Sequence, residues 1–253
     1  MRQEYIFLEN FIDQKLCSVL SELIPSILHN HGRKAMFGDA APGAFFHSDK
    51  IFEICCDITN KIIKSQSLND DWFITMQSDV HSNTRSAWHA DIGLPSDPYF
   101  PSGYDLTADV DSTEVFRVGI FPNSNEITFF KQGILAPDSL ARISLKNNGI
   151  LLFDPRAMHR GREPSTIQKL WFKFFPAGVY KNQIINFFAR FLFRGAASDR
   201  YAVFFTIARD TKIGRFYAKK NMIRQQKQMG RSSDLRNIDL KVHTSGVKYA
   251  SYS

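Results

Sequence analysis

The sequence predicts an α+β chain, mainly β, in which N-terminal helices buttress a sandwich or barrel of strands. Three observations carry that expectation. Apolar residues recur at helical spacing up to about residue 65. After Asn69 the apolar stretches become short, separated by Gly, Pro, Asn and Asp with no helix between most of them. Helices first and strands after is the α+β order, with helices packed on a β core. At 253 residues the chain is long enough to bury a sizeable core, and 43% hydrophobic with 23% charged residues excludes broad disorder.

Taken in order, Gln3 to Phe11 reads as a short strand leading into a helix. Asp13 is placed to N-cap a helix over Gln14 to His29, with Leu16, Val19, Leu20, Leu23 and Ile27 along one face. A second helix is expected from about Ser48 to Ser65, burying Ile51, Ile54, Cys55, Ile58 and Ile62. Strands are expected at Trp72–Val80, Thr113–Phe121, Glu126–Phe130, Ala141–Leu145, Gly149–Phe153, Lys169–Phe175 and Tyr201–Ala208. Thr211 to Arg231 reads as a basic helix, and 232–253 as a flexible tail. With no internal repeat or Gly/Ser linker, residues 1–231 are expected to form one domain. It comprises a helical buttress (1–68), a core (69–208) interrupted by an insertion (164–199), and a basic helical extension (209–231).

Composition narrows the setting. No run of 18 apolar residues exists, so no bilayer-spanning helix is expected. The first 20 residues carry charges through their middle, unlike a signal peptide. Cys17, Cys55 and Cys56 cannot make a disulfide framework. The expectation is a cytoplasmic protein.

The net charge of +7 is concentrated late. From Arg160 to Arg231 sixteen Lys or Arg face three acids, and the remaining residues are mildly acidic. That asymmetry predicts an anionic partner. Within it, Lys169 to Arg194 holds nine aromatics, five Lys or Arg and no acid. At helical spacing, Ile184, Ile185, Phe187, Phe188, Phe191 and Leu192 form one broad face. Three readings stand open: a membrane-peripheral contact with anionic lipid through 169–231, a lid over a substrate opening, and a dimer face. No base-reading motif accompanies the charge, which disfavours nucleic acid.

The chemistry-bearing segment is Ser86-Ala-Trp-His-Ala-Asp-Ile-Gly93. On a strand, His89 and Asp91 project from the same face and can bind one metal ion together. A second segment, Gly149-Ile-Leu-Leu-Phe-Asp-Pro-Arg-Ala-Met-His159-Arg-Gly, is an apolar strand ending in a turn with His159 just beyond. Two histidines and one carboxylate occupy one face of an octahedral ion and leave three positions open, the ligand pattern of non-haem Fe(II) oxygenases.

Trp-His-x-Asp, the apolar strand Val115–Phe121, and Gly-x-Leu-Leu-Phe-Asp followed by His-Arg-Gly together resemble the Fe(II)/2-oxoglutarate dioxygenases of the phytanoyl-CoA dioxygenase type. The resemblance covers about Trp72 to Ala208. It implies a double-stranded β-helix, or jelly-roll, core. It implies His89, Asp91 and His159 as iron ligands, with 2-oxoglutarate and O₂ as co-substrates. A carboxylate at Asp91 suits hydroxylation, where the family's halogenases carry a small residue. The family also expects a basic residue on the last core strand to pair with the distal carboxylate of 2-oxoglutarate. Ser198-Asp-Arg200 ahead of an alternating strand makes Arg200 the first candidate and Lys169 the second. Gln77 and Arg117 are further candidates for contact with 2-oxoglutarate. The resemblance implies hydroxylation of an unactivated C–H bond; the basic aromatic segment makes a lipid-linked, phosphorylated or glycolipid-type substrate the first expectation. The alternatives are a hydroxylase of a small biosynthetic metabolite and a peripheral membrane-binding module on an inactive jelly roll.

Overall fold

The computed structural model describes residues 5–30, 39–82, 91, 114–123, 127–132, 139–144, 148–155, 157, 159–160, 201–232, 234–235 and 237–253. The strand expected at Lys169–Phe175, the insertion, His89 and Arg200 lie outside the described residues.

The strands are β1 (Tyr5–Leu8), β2 (Asp39–Pro42), β3 (Trp72–Ser82), β4 (Val115–Phe121), β5 (Ile127–Gln132), β6 (Ser139–Ser144), β7 (Gly149–Phe153), β8 (His159–Arg160), β9 (Tyr201–Arg209), β10 (Ile238–Val242) and β11 (Lys248–Tyr252). The helices are α1 (Gln14–Asn30), α2 (Ala44–His47), α3 (Asp49–Ser65) and α4 (Lys212–Gln228). The larger sheet has eight strands, seven in the order β1-β7-β4-β9-β3-β11-β10 and β2 paired to β3. The smaller runs β6-β5-β8. Two sheets with non-consecutive strands side by side and helices against the larger one make a helix-backed jelly roll, as the sequence predicts.

The helices form where the sequence caps them. Asp13 Oδ1 accepts from the Leu16 N–H at 2.7 Å, and Ser48 Oγ accepts from Ile51 at 3.2 Å. The α3 stripe is buried as expected, from Ile51 to Ile62. The α1 stripe is rotated: Cys17, Leu20, Ile24, Ile27 and Leu28 are buried, while Leu16, Val19 and Leu23 are only partly covered. These helices share one core with one face of the larger sheet, at Phe116, Val118, Ile120, Ile150, Leu152, Val203, Phe205 and Ile207. Side chains alternate along a strand, so Arg117, Gly119 and Phe121 on β4 and Ala202, Phe204 and Thr206 on β9 stand on the opposite face.

That second face is divided along its length. At one end α4 covers it, with Tyr217 and Ala218 against Phe73, Val115 and Ala208. At the other end Phe121, Leu151, Phe153, Ala157 and Ala202 form a separate apolar cluster. Polar side chains lie between. The turn from β9 into α4 is tight. A Cβ on Gly214 would sit 2.0 Å from the Arg209 carbonyl oxygen, so glycine is required there. Thr211 caps the helix by accepting from the Gly214 N–H at 3.1 Å.

One expectation is corrected. Residues 237–253 of the expected flexible tail 232–253 are ordered, because β10 and β11 form a hairpin and β11 joins β3 in parallel at Lys248–Phe73 and Tyr249–Ile74. Val247 and Ala250 are buried, the Tyr252 hydroxyl donates to the Thr75 carbonyl, and Asn60 Nδ2 donates to the Ser245 carbonyl at 3.1 Å. The segment is too polar to read as a strand pair alone. Partners more than 170 residues away supply its order. Among the described residues no helix is long and apolar enough to cross a membrane.

Candidate metal centre

The polar strip on the second face begins with an irregularity in β3. Between the pairs Ile74–Ile207 and Ser78–Phe205, β9 contributes one residue and β3 contributes three, Thr75, Met76 and Gln77. Two extra residues make a bulge, and Met76 takes a positive φ of 65°. Because two is even, Phe73 and Asp79 stay on the same face. The bulge frees backbone groups, and Gln225 of α4 satisfies them. Its Oε1 accepts from the Ser78 N–H at 2.8 Å and its Nε2 donates to the Met76 carbonyl at 3.3 Å. Both ends of a single amide are thus spent on holding the strand in this shape.

Asp79, Gln77, Thr206 and Arg117 then converge. The Arg117 Nη2 donates to both carboxylate oxygens of Asp79, and its Nη1 donates to Thr206 Oγ1 at 3.2 Å. The Thr206 hydroxyl in turn donates to Gln77 Oε1 at 2.7 Å. His81 Nε2 lies 3.2 Å from Asp79 Oδ2. Burial alone would raise the Asp79 carboxyl, but the Arg117 and His81 charges and hydrogen bonds outweigh it and hold the group well below the usual carboxylate range. Phe204 lies beside the cluster, with Arg117 5.5 Å above its ring and the His81 ring edge-on at 4.9 Å. Gly119 makes room for that ring, since a Cβ there would come within 2.7 Å of it.

The metal-binding candidates sit next to this cluster, held by the turn after β7. The Ala157 N–H donates to the Asp154 carbonyl at 2.8 Å and closes the turn. The Pro155 carbonyl accepts from the Asp91 N–H at 2.8 Å. The Ala157 carbonyl lies 3.0 Å from His159 Nδ1. A carbonyl can only accept, so Nδ1 carries the proton, and in the neutral ring Nε2 carries the lone pair. That lone-pair nitrogen lies 4.0 Å from Asp91 Oδ1. The His159 ring rests against Phe153, with centroids 4.6 Å apart. Arg117 Nε stands 3.7 Å from the other Asp91 oxygen, Oδ2, and Arg224 of α4 donates to the Asp91 carbonyl at 2.9 Å.

A neutral imidazole nitrogen and a carboxylate oxygen facing each other fit the needs of a divalent cation. Among the described residues no group of three His, Cys, Asp or Glu forms, and His89 lies outside them. The structure therefore brings together Asp91 and His159 of the expected ligands. It places Gln77 two strands away from Arg117 in the same polar strip. Arg200 and Lys169 lie outside the described residues. Arg117, a candidate for 2-oxoglutarate contact, donates to Asp79 and Thr206 and faces Asp91.

Four participants were not singled out from the sequence: Asp79, Thr206, Arg224 and Gln225. One signal was present. Asp79 and His81 put two titratable side chains at period two in β3, and Arg117 is the one charge in the apolar run VFRVGIF. A charge in such a strand requires a buried partner.

No family model matches the chain, and no curated protein matches it in sequence. Solved structures match it in shape. It is similar to the non-haem α-ketoglutarate-dependent epimerase SnoN from nogalamycin biosynthesis, with a TM-score of 0.52 and 10% identity over 82% of this chain and 79% of that one. It is similar to the carbocyclase SnoK from the same biosynthesis (0.51, 10%, 82% and 80%). It is also similar to HygX from Streptomyces hygroscopicus, solved with nickel and 2-oxoglutarate bound (0.52, 8%, 81% and 82%). At these identities the likeness shows a shared fold.

Proposed function

We propose that the chain is an Fe(II)- and 2-oxoglutarate-dependent oxygenase, with His89, Asp91 and His159 holding the metal. The observation that carries this reading is the turn after β7, whose two carbonyls hold Asp91 and the lone-pair-bearing face of His159 toward one point. The shared fold with SnoN, SnoK and HygX supports it. Iron with 2-oxoglutarate and O₂ supplies an oxidant strong enough to remove hydrogen from a C–H bond. The chain's own part is to bind and orient the substrate and to keep water from that oxidant. Arg200 is the proposed partner of the distal carboxylate of 2-oxoglutarate, Lys169 the second choice, and Gln77 a contact beside it.

Hydroxylation of an anionic substrate, lipid-linked or phosphorylated, is the reaction we favour. The carboxylate at Asp91 and the charge of 160–231 support it. A second reading rests on the printed activities of SnoN and SnoK: epimerisation or ring closure of a small biosynthetic metabolite on the same machinery. The two differ in oxygen balance, since hydroxylation leaves one atom from O₂ in the product and the others leave none.

The deciding experiment is anaerobic. Fe(II) followed by 2-oxoglutarate is expected to give the weak visible charge-transfer band of the chelate, and His159→Ala is expected to abolish it. Iron that does not bind, or binds without the band, would overturn the reading.

A further inference from the structure

We propose that Arg117 is a positioning residue that assigns the two oxygens of Asp91 different tasks. The inference rests on the metal reading above. Its guanidinium is a planar fork with five N–H donors, and two strands and Asp91 meet it. Nη2 is taken by Asp79 of β3, Nη1 by Thr206 of β9, and Nε faces Asp91 Oδ2 at 3.7 Å. Oδ1 faces His159 Nε2. One carboxylate oxygen is therefore turned toward the arginine and the other toward His159, the side on which the metal would be held. Without the arginine both oxygens would compete for the cation, and the carboxylate would be free to rotate about its last torsion.

Asp79 is what makes the device rigid. It lies in the sheet, its charge is balanced by Arg117, and it fixes the guanidinium so that Nε, not a rotating Nη, meets Asp91. The Asp91 backbone is held independently, by Pro155 through its N–H and by Arg224 through its carbonyl. Main chain and side chain are thus oriented by separate parts of the fold. Lysine cannot replace this arginine, because a single ammonium on a flexible stem cannot meet Asp79, Thr206 and Asp91 in a fixed plane.

The test is Mn(II) affinity of the full-length protein, read by electron paramagnetic resonance without turnover. Arg117→Lys is expected to weaken binding by roughly 10- to 100-fold, the range for groups that orient a metal ligand. Thr206→Val, nearly isosteric, removes the hydroxyl that steadies the guanidinium and donates to Gln77, and is expected to weaken binding several-fold. Ile120→Val, in the core on the other face of the same strand, serves as the structural control and is expected to leave affinity unchanged. Folded Arg117→Lys with wild-type affinity would overturn the inference. If Arg117→Lys does not fold, wild-type affinity in Thr206→Val overturns it equally. Wild-type protein that binds no Mn(II) overturns the metal reading itself, and this inference with it. A wild type that binds and gives the charge-transfer band while neither variant changes affinity overturns this inference alone.

Discussion

A buried arginine in a seven-residue strand with no exposed position is costly unless every donor finds a partner. At Arg117 the partners are Asp79, Thr206 and Asp91, and their arrangement makes a pH-dependent contribution to stability. The Asp79 carboxyl is held below its ordinary value, so the unfolded chain takes up its proton first as pH falls. The contribution is complete above the unfolded pKa, about 3.9 for an aspartate, and is lost as pH drops from there toward the folded value. Asp79→Asn is therefore expected to lower the urea midpoint at neutral pH. The gap to wild type is expected to narrow steadily below about pH 4. A gap that stays constant through that range would show that Asp79 is not held ionised by Arg117. His159 illustrates the reach of sequence reading at this scale. Its place after an apolar strand pointed to a ligand, but the carbonyl of Ala157 that sets its tautomer is a backbone contact no residue type announces.

At the scale of elements, the bulge in β3 and helix α4 depend on each other. The bulge turns backbone groups of Met76 and Ser78 away from the ladder, and Gln225 takes both. The residue before it, Arg224, reaches the Asp91 carbonyl. Helix α4 is thereby tied to the strand that carries Gln77 and Asp79 and to the candidate metal ligand at once. Gln225→Ala leaves two backbone groups without their partner, and each such loss costs about 1–3 kcal/mol when buried. The expected result is a destabilisation of roughly 2–6 kcal/mol in urea unfolding, together with weaker Mn(II) binding. Loss of stability with unchanged Mn(II) affinity would separate the helix from the site. In sequence α4 reads as a charged helix seeking an anionic partner. Its positions in the structure show a second task, since Gly214, Tyr217, Ala218, Asn221, Met222 and Gln225 are buried.

Across the whole molecule, the larger sheet works as a plate between two environments. One face carries the helical core. The other carries, in sequence along the plate, the α4 contact, the polar strip and the aromatic cluster. The hairpin of β10 and β11 extends this plate past β3, the strand with the bulge. Removing residues 237–253 uncovers the β3 edge and takes away Val247, Ala250 and the Tyr252 hydroxyl. The truncated chain is expected to melt about 10 °C lower, as a loss of roughly 3–4 kcal/mol implies at this size. An unchanged melting temperature would mark the hairpin as an appendage.

The sequence by itself determined the α+β class, the two long N-terminal helices, the strand at Gly149–Phe153 and the pairing of Asp91 with His159 as ligand candidates. These are local facts: caps, periodicities and short motifs act over a few residues, so they are written in neighbouring letters. Tertiary structure alone decided that Arg117 serves Asp79 and Asp91, that Gln225 completes the β3 bulge, and that the last strand pair is ordered against β3. Each joins residues tens to more than a hundred positions apart. Their partners are chosen by which strand lies beside which, and one chain read in order does not state that choice.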